Sequence, residues 1–189
     1  MEFLDAVQIK RHLLTVEQYH RMGEAGVLAP DARVELVEGN VIEMAPIGSR
    51  HYAAVSLLSR LLVQALENRA LVSSQLSIRL DRMSELKPDV AIYKSRDDFY
   101  AARLPTATDA LLVIEISDSA LDYDVRVKGP LYARHGVPEY WIFDLPARAL
   151  RVFRKPHGDQ YTEVKARETP DVVTLPGLQG LCVDLAGVL

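Results

Sequence analysis

An acidic residue interrupts a continuous apolar run near the middle of the chain. Glu115 lies within Leu111-Leu112-Val113-Ile114-Glu115-Ile116, a pattern typical of a buried strand. Burying a carboxylate among aliphatic side chains costs several kcal/mol unless a partner or a metal neutralises it. The fold must therefore bring such a group to Glu115.

The preceding strand supplies a second carboxylate. Asp89 follows Pro88 and opens a strand-like run, which the polar segment 94–110 connects to the run that contains Glu115. Two strands joined in this way most simply pair antiparallel, which places Asp89 beside Glu115. Lys128 follows Glu115 by 13 positions (128 − 115). Two carboxylates with an ammonium nearby form the oxygen-rich site that Mg²⁺ or Mn²⁺ prefers, so we predict a metal centre for phosphodiester hydrolysis.

The composition limits the alternatives. The chain has 189 residues, 49% hydrophobic and 25% charged, which suits one globular domain with a proper core. The net charge of −4 (22 − 26) gives no basic excess of the kind that nucleic-acid-binding proteins often have, which counts mildly against a nuclease. The lone Cys182 excludes an intramolecular disulfide and a CxxC-type zinc site. Since neither a secretory signal nor a membrane-spanning run is present, we expect a cytoplasmic protein.

The N-terminal third of the chain predicts a helix, a hairpin and a longer helix. Thr15 and Gln18 fit a capping box that starts a short helix, within an N-terminal helical extension of about residues 1–30. The turn cluster Glu38-Gly39-Asn40 lies between two strand-forming runs and predicts a hairpin. Apolar residues at i, i+3, i+4 and i+7 spacing predict the main core helix over about residues 51–67.

The remaining chain alternates strands with one further helix. We expect a half-buried strand over residues 71–80, ahead of the two central strands. Gly129-Pro130 favours a helix start near residues 126–129, because proline is tolerated in a first turn and disruptive later. Residues 138–144 and 150–154 predict a pair of strands. Together these elements predict an α/β (mixed α+β) fold in one domain, with a central mixed sheet flanked by helices.

Several short motifs occur in a fixed order along nearly the whole chain. They are Glu35-Leu36-Val37-Glu38-Gly39, His51, Pro88-Asp89-Val90, Val113-Ile114-Glu115-Ile116-Ser117, Asp124, Lys128, Tyr132-Ala133 and Gly136-Val137-Pro138-Glu139-Tyr140-Trp141. No single motif is specific, but the ordered set resembles the Uma-two family of restriction-endonuclease-like proteins. The resemblance implies the PD-(D/E)XK nuclease fold and a divalent metal. The expected substrate is nucleic acid, with DNA as the first expectation.

The resemblance also implies roles for individual residues. Asp89 would be the metal-bridging aspartate and Glu115 the second acidic ligand, with the Ile116 carbonyl completing the metal ligands. The family pattern places a lysine two residues after Glu115, where this chain has Ser117. We expect Lys128, on the next helix, to replace that lysine.

Further residues have auxiliary roles in this interpretation. Glu35 would be an additional upstream acid, which completes the metal shell or steers a water. His51 could touch a substrate phosphate or carry a proton. Asp124 could pair with Lys128 at i, i+4 spacing and orient or neutralise its ammonium. Three basic residues could bind successive phosphates of a nucleic acid or form a solvated face: Arg79, Arg82 and Lys87.

Structural alternatives remain open for each assignment and for the whole protein. Asp89 could simply cap a turn, and Lys128 could be a solvated helix lysine. The acidic net charge and Ser117 favour a catalytically silent binding or assembly module, such as a homodimer with Tyr140 and Trp141 near the interface. A third hypothesis is a hydrolase that uses the two carboxylates as acid and base without a metal.

Overall fold

The computed structural model describes residues 10–168, 172–178, 181–185 and 187–189. A 3₁₀ turn spans Ala107–Asp109, and a π-helical turn spans Asp124–Lys128. Among the described residues, no helix has the length and apolar character needed to cross a membrane. The helices and strands, in chain order, are α1 (Val16–Glu24), β1 (Val34–Val37), β2 (Asn40–Glu43), α2 (Ser49–Leu66), β3 (Ala70–Ser74), β4 (Ile78–Arg79), β5 (Glu85–Leu86), β6 (Val90–Lys94), β7 (Ala110–Ser117), α3 (Leu121–Tyr123), α4 (Gly129–Arg134), β8 (Glu139–Asp144), β9 (Ala149–His157), β10 (Gln160–Glu168), β11 (Val172–Thr174) and β12 (Cys182–Asp184).

A six-stranded mixed sheet lies at the centre of the protein, in the order β10-β9-β8-β7-β6-β3. Neighbouring strands pair antiparallel except β7 and β8, which are parallel. A parallel pair needs a crossover connection, and the helical segment 121–134 provides it. Because β7 and β8 are buried along nearly their whole length, their sequences are almost continuous apolar runs. The predicted mixed α+β fold with a central mixed sheet is confirmed.

Each face of the central sheet packs against a helix. Alternate side chains of β8 point to opposite faces, with Trp141 in the cluster formed with α2 and Tyr140 in the cluster formed with α4. Both aromatic side chains are fully buried. Tyr140 and Trp141 therefore belong to the core of one chain and are not exposed for contact with a second copy, while the homodimer itself stays a prediction.

A smaller sheet, in the order β2-β1-β5-β4, carries the N-terminal elements. The predicted capping box is confirmed: the Thr15 amide donates to Gln18 Oε1 at 2.8 Å, and the Gln18 amide donates to the Thr15 hydroxyl. Helix α1 packs through Tyr19 on Leu36 of β1. The predicted hairpin is also confirmed as the antiparallel pair β1 and β2. Residues 1–9 of the expected N-terminal extension lie outside the described residues.

Two elements differ from the sequence prediction. The strand expected over residues 71–80 is two strands in different sheets, and Gln75, with a φ of +53°, turns the chain between them. The helix expected to begin near residues 126–129 is preceded by helical turns from Leu121 onward. Pro130 cannot donate a backbone hydrogen bond, and the Gly129 amide instead donates to the Asp124 carbonyl five residues back. The π turn thus accommodates a proline within a longer helical segment.

Candidate active site

A cleft of about 290 Å³ opens at the edge of the central sheet where β6 begins and β7 ends. Residues from β1, α2, β7, the π turn and the loop before β6 line this cleft, together with the end of the β1–β2 hairpin. The structure brings all the predicted site residues to it: Glu35, His51, Asp89, Glu115, Ile116, Asp124 and Lys128.

Asp89 is fixed by antiparallel pairing of β6 with β7, as the sequence predicts. Val90 pairs with Ile114, and Asp89 Oδ2 accepts a 2.9 Å hydrogen bond from the Ile116 amide. The other oxygen, Oδ1, lies 2.8 Å from His51 Nε2 in the first turn of α2. Asp89 is only 5% exposed. Its carboxylate is therefore oriented from two directions, by a strand and by a helix.

Glu115 has the partners that its apolar surroundings require. It is 3% exposed, and its Oε1 accepts hydrogen bonds from Lys128 Nζ at 3.0 Å and from the Tyr132 hydroxyl at 3.1 Å. Burial raises the pKa of Glu115, Lys128 opposes that rise, and three neighbouring carboxylates add to it. No role for Tyr132 is predicted from the sequence, although its i+4 spacing from Lys128 indicates that both side chains could lie on one helix face.

Lys128 is the buried cation that the sequence predicts. Its Nζ lies 3.6 Å from Glu35 Oε2, in addition to its contact with Glu115. Burial alone would lower the pKa of Lys128, but Glu115 and Glu35 outweigh that effect and hold the pKa above its usual value. The ammonium therefore stays charged at neutral pH. The expected i, i+4 ion pair with Asp124 does not form, because residues four apart are not aligned in a π turn.

Glu35 joins the smaller sheet to the helical segment. It is fully buried on β1, and its Oε1 accepts a 2.8 Å hydrogen bond from the Tyr123 hydroxyl. Its Oε2 accepts a 3.2 Å hydrogen bond from the Lys87 amide. Burial and the nearby Glu35 raise the pKa of Tyr123, so its hydroxyl remains a donor. No sequence signal pointed to Tyr123, whose contact depends on the packing of two elements distant in the chain.

Asp124 adds a fourth buried carboxylate to the cleft. It is 4% exposed, and burial raises its pKa to about 6 against the opposing effect of Lys128. The cleft therefore contains Glu35, Asp89, Glu115 and Asp124 around a single lysine. Such an excess of negative charge favours the uptake of a proton or of another cation.

The donor groups suit a hard divalent cation. Asp89 and Glu115 supply carboxylate oxygens, and the Ile116 carbonyl points to the same side of β7 as the amide that binds Asp89. Mg²⁺ usually takes one or two carboxylates and keeps several waters. Within the described parts of the chain, no group of three or more His, Cys, Asp or Glu residues is arranged around a metal position. A metal here would rely on two carboxylates, a carbonyl and water.

Comparison with known proteins identifies the family. The family model described as "Uma2: Putative restriction endonuclease" matches residues 16–186. The chain belongs to the Uma2 family. A solved structure described as a putative nuclease of DUF820 from Anabaena variabilis matches with a TM-score of 0.67 and 17% identity, over 86% of this chain and 89% of that chain. At that identity the match shows the fold alone, which agrees with the predicted mixed α+β architecture. No curated protein matched the chain.

In this Uma2 protein the lysine comes from a different element than the motif predicts. Ser117 lies two residues after Glu115 and has no charge to offer. Lys128 reaches Glu115 from the π turn that follows, so an ammonium is present beside the second acid despite the departure at Ser117.

Proposed function

We propose that this Uma2 protein is a nuclease that hydrolyses phosphodiester bonds in nucleic acid with a divalent metal ion, Mg²⁺ or Mn²⁺. The observation that carries the proposal is the burial of four carboxylates around one lysine at the edge of the sheet. Buried charges of this kind contribute little to folding stability. A catalytic role explains why they occur together in a cleft. The family description and the similarity to a structure described as a nuclease support this assignment.

Asp89, Glu115 and the Ile116 carbonyl are the groups that would hold the metal. When bound, the metal would lower the pKa of a water molecule and offset negative charge on the phosphate. His51 and the Ile116 amide already orient the Asp89 carboxylate. Glu115 uses Oε1 for its contacts with Lys128 and Tyr132, which leaves Oε2 as the oxygen for a further ligand.

Lys128 supplies positive charge at the position of the phosphate. Its ammonium lies 3.0 Å from Glu115 Oε1, so a phosphate at the acids would lie close to it. A fixed positive charge beside the reacting phosphate stabilises the negative charge of the transition state. Glu35 contacts the same ammonium at 3.6 Å and acts as a positioning residue. His51, on the outer side of Asp89, would position that carboxylate or carry a proton.

A second candidate function is a binding module that keeps the fold without catalysis. The observation that favours it is the number of protein partners already present on the acids. Both oxygens of Asp89 and one oxygen of Glu115 have hydrogen-bond partners within the chain. In that case the charged groups would serve the structure of the cleft alone, and metal binding would not occur.

A nuclease assay with matched variants tests the proposal. Single- and double-stranded DNA and RNA are incubated with the protein in Mg²⁺, Mn²⁺ or EDTA. We expect cleavage with either metal and none with EDTA, and a loss of about 10³-fold or more in Asp89→Asn and Glu115→Gln. Asp97→Asn, an exposed acid beyond the far end of β6, should keep full activity. Cleavage that survives in both site variants would contradict the proposal, and a wild-type protein that binds nucleic acid without cleaving it would favour the binding module.

A further inference from the structure

A second cavity of about 160 Å³ adjoins the cleft and shares Arg33, Met44 and Asp89 with it. Lys87 also lines this cavity. We propose that Arg33 and Lys87 bind the nucleic-acid phosphate next to the one that is cleaved, so that the strand passes over Asp89. This inference rests on the proposed nuclease function and adds a substrate-binding subsite to it.

The smaller sheet brings the two basic residues together. Strands β1 and β5 pair antiparallel through Leu36 and Glu85. The residue before β1 and the residue after β5 therefore lie at the same end of the sheet. These residues are Arg33 and Lys87. The Lys87 amide also donates to Glu35, which fixes the base of its side chain beside the active site.

Both side chains retain donors for an anion. The Arg33 guanidinium donates a 2.9 Å hydrogen bond from Nη1 to the Ala45 carbonyl, which leaves its other N–H groups for a ligand. Lys87 is half-buried, and its ammonium makes no ion pair or hydrogen bond within the described part of the chain. A guanidinium and an ammonium that face one small cavity are well suited to a phosphate group.

The other basic residues considered from the sequence are less suitable. Arg79 forms a 2.5 Å ion pair with Glu17. It lies on β4, an edge strand of the smaller sheet, and lines neither cavity. Of the three residues Arg79, Arg82 and Lys87, it is Lys87 that lines the cavity beside Asp89.

The two adjoining cavities differ in charge. Six carboxylates line the cleft, four of them buried, against the two cations Lys128 and Arg33. The second cavity has two cations, Arg33 and Lys87, and only Asp89 as an acid. A single phosphate could occupy only one of these two cavities. A nucleic-acid strand carries successive phosphates, so one can lie at Arg33 and Lys87 while its neighbour lies at Asp89. Asp89 and Arg33 line both cavities and therefore lie between the two phosphate positions.

The test scans an oligonucleotide that the wild-type protein cleaves at a mapped bond. Each phosphate in turn is replaced by an uncharged methylphosphonate, and affinity is measured in Ca²⁺ with a salt titration. For wild type, we expect one neutral linkage adjacent to the cleaved bond to weaken binding by about tenfold. Lys87→Gln and Arg33→Gln should bind the normal strand about tenfold more weakly, with a salt slope lower by about 1. In these variants the same neutral linkage should cause little further loss.

Matched controls separate this subsite from a general charge effect. Lys165→Gln and Arg60→Gln remove exposed cations that line neither cavity, and both should bind as wild type does. Lys87→Arg keeps the charge and should keep the response to the neutral linkage. The inference would be overturned if the neutral linkage weakened binding equally in wild type, Lys87→Gln and Arg33→Gln. That result would leave the nuclease activity established. A wild-type protein that neither binds nor cleaves nucleic acid would overturn both the inference and the proposed function.

Discussion

The Lys128 ammonium lies 3.0 Å from Glu115 Oε1, where an apolar strand would otherwise bury a carboxylate without a cation. The same ammonium lies 3.6 Å from Glu35 on β1. One lysine therefore neutralises acids from the central sheet and from the smaller sheet. Because Lys128 comes from the crossover between β7 and β8, it connects that crossover with both sheets.

Lys128→Met should separate the contribution of this charge from that of side-chain volume. Glu115 and Glu35 would then be buried without their cation, so the free energy of unfolding at neutral pH should fall by about 3–5 kcal/mol. The loss should shrink as the pH falls, because burial raises the pKa of Glu115 and protonation removes its negative charge. Urea denaturation at several pH values measures both effects.

Lys165→Met is the matched control for that experiment. Lys165 is exposed on β10, so its replacement should change the free energy of unfolding by less than about 0.5 kcal/mol. If Lys128→Met changed the free energy of unfolding as little as Lys165→Met does, the ammonium would not be the group that stabilises the buried acids.

Asp124 should make folding stability depend on pH. Burial raises its pKa from 3.8 to about 6 in the folded protein, so the folded state binds a proton more tightly than the unfolded chain does. The stabilisation is fully present below about pH 4 and is lost as the pH rises through about 6. Asp124→Asn should therefore exceed wild type in unfolding free energy above that pH, by on the order of 2 kcal/mol.

The measurement for Asp124 is a series of urea denaturation curves across this pH range. Asp122→Asn, at an exposed acid two residues earlier, should follow the wild-type curve. If the unfolding free energy of Asp124→Asn depended on pH as that of wild type does, Asp124 would not be the titrating group.

Tyr132→Phe tests the second donor to Glu115. The substitution removes the 3.1 Å hydrogen bond to Oε1 and should cost about 1.5–3 kcal/mol, since the acceptor is a buried acid. Loss of a donor to the ionised form raises the pKa of Glu115, so the acidic limb of the activity profile should move to higher pH. Tyr100→Phe, which removes a 2.8 Å hydrogen bond to the Lys94 carbonyl, should lose stability without moving the pH profile. Equal pH profiles for the two variants would contradict the role assigned to Tyr132.

The proximity of Asp89 and Glu115 could be predicted because it follows from a local rule. Two successive strands joined by a connection most simply pair antiparallel, and Val90 does pair with Ile114. Glu115 was also informative by itself, because an acid in a buried strand requires a partner. The sequence therefore predicts the proximity of Asp89 and Glu115 without knowledge of the remaining topology.

The partners of the acids could not be predicted in the same way. Lys128 reaches Glu115 through a π turn, and Gly129-Pro130 suggested a helix start there rather than a change in hydrogen bonding. The contact between Tyr123 and Glu35 joins residues 88 positions apart and depends on how two layers pack. Periodicity within one segment contains no information about such contacts.

Calorimetric titration of Mg²⁺ and Mn²⁺ tests the central claim, that Asp89 and Glu115 together hold a divalent metal. The wild-type protein and Asp97→Asn should bind the metal, while Asp89→Asn and Glu115→Gln, shown by circular dichroism to be folded, should not. Binding that persists in both site variants, or its absence in the folded wild-type protein at millimolar metal, would contradict the account.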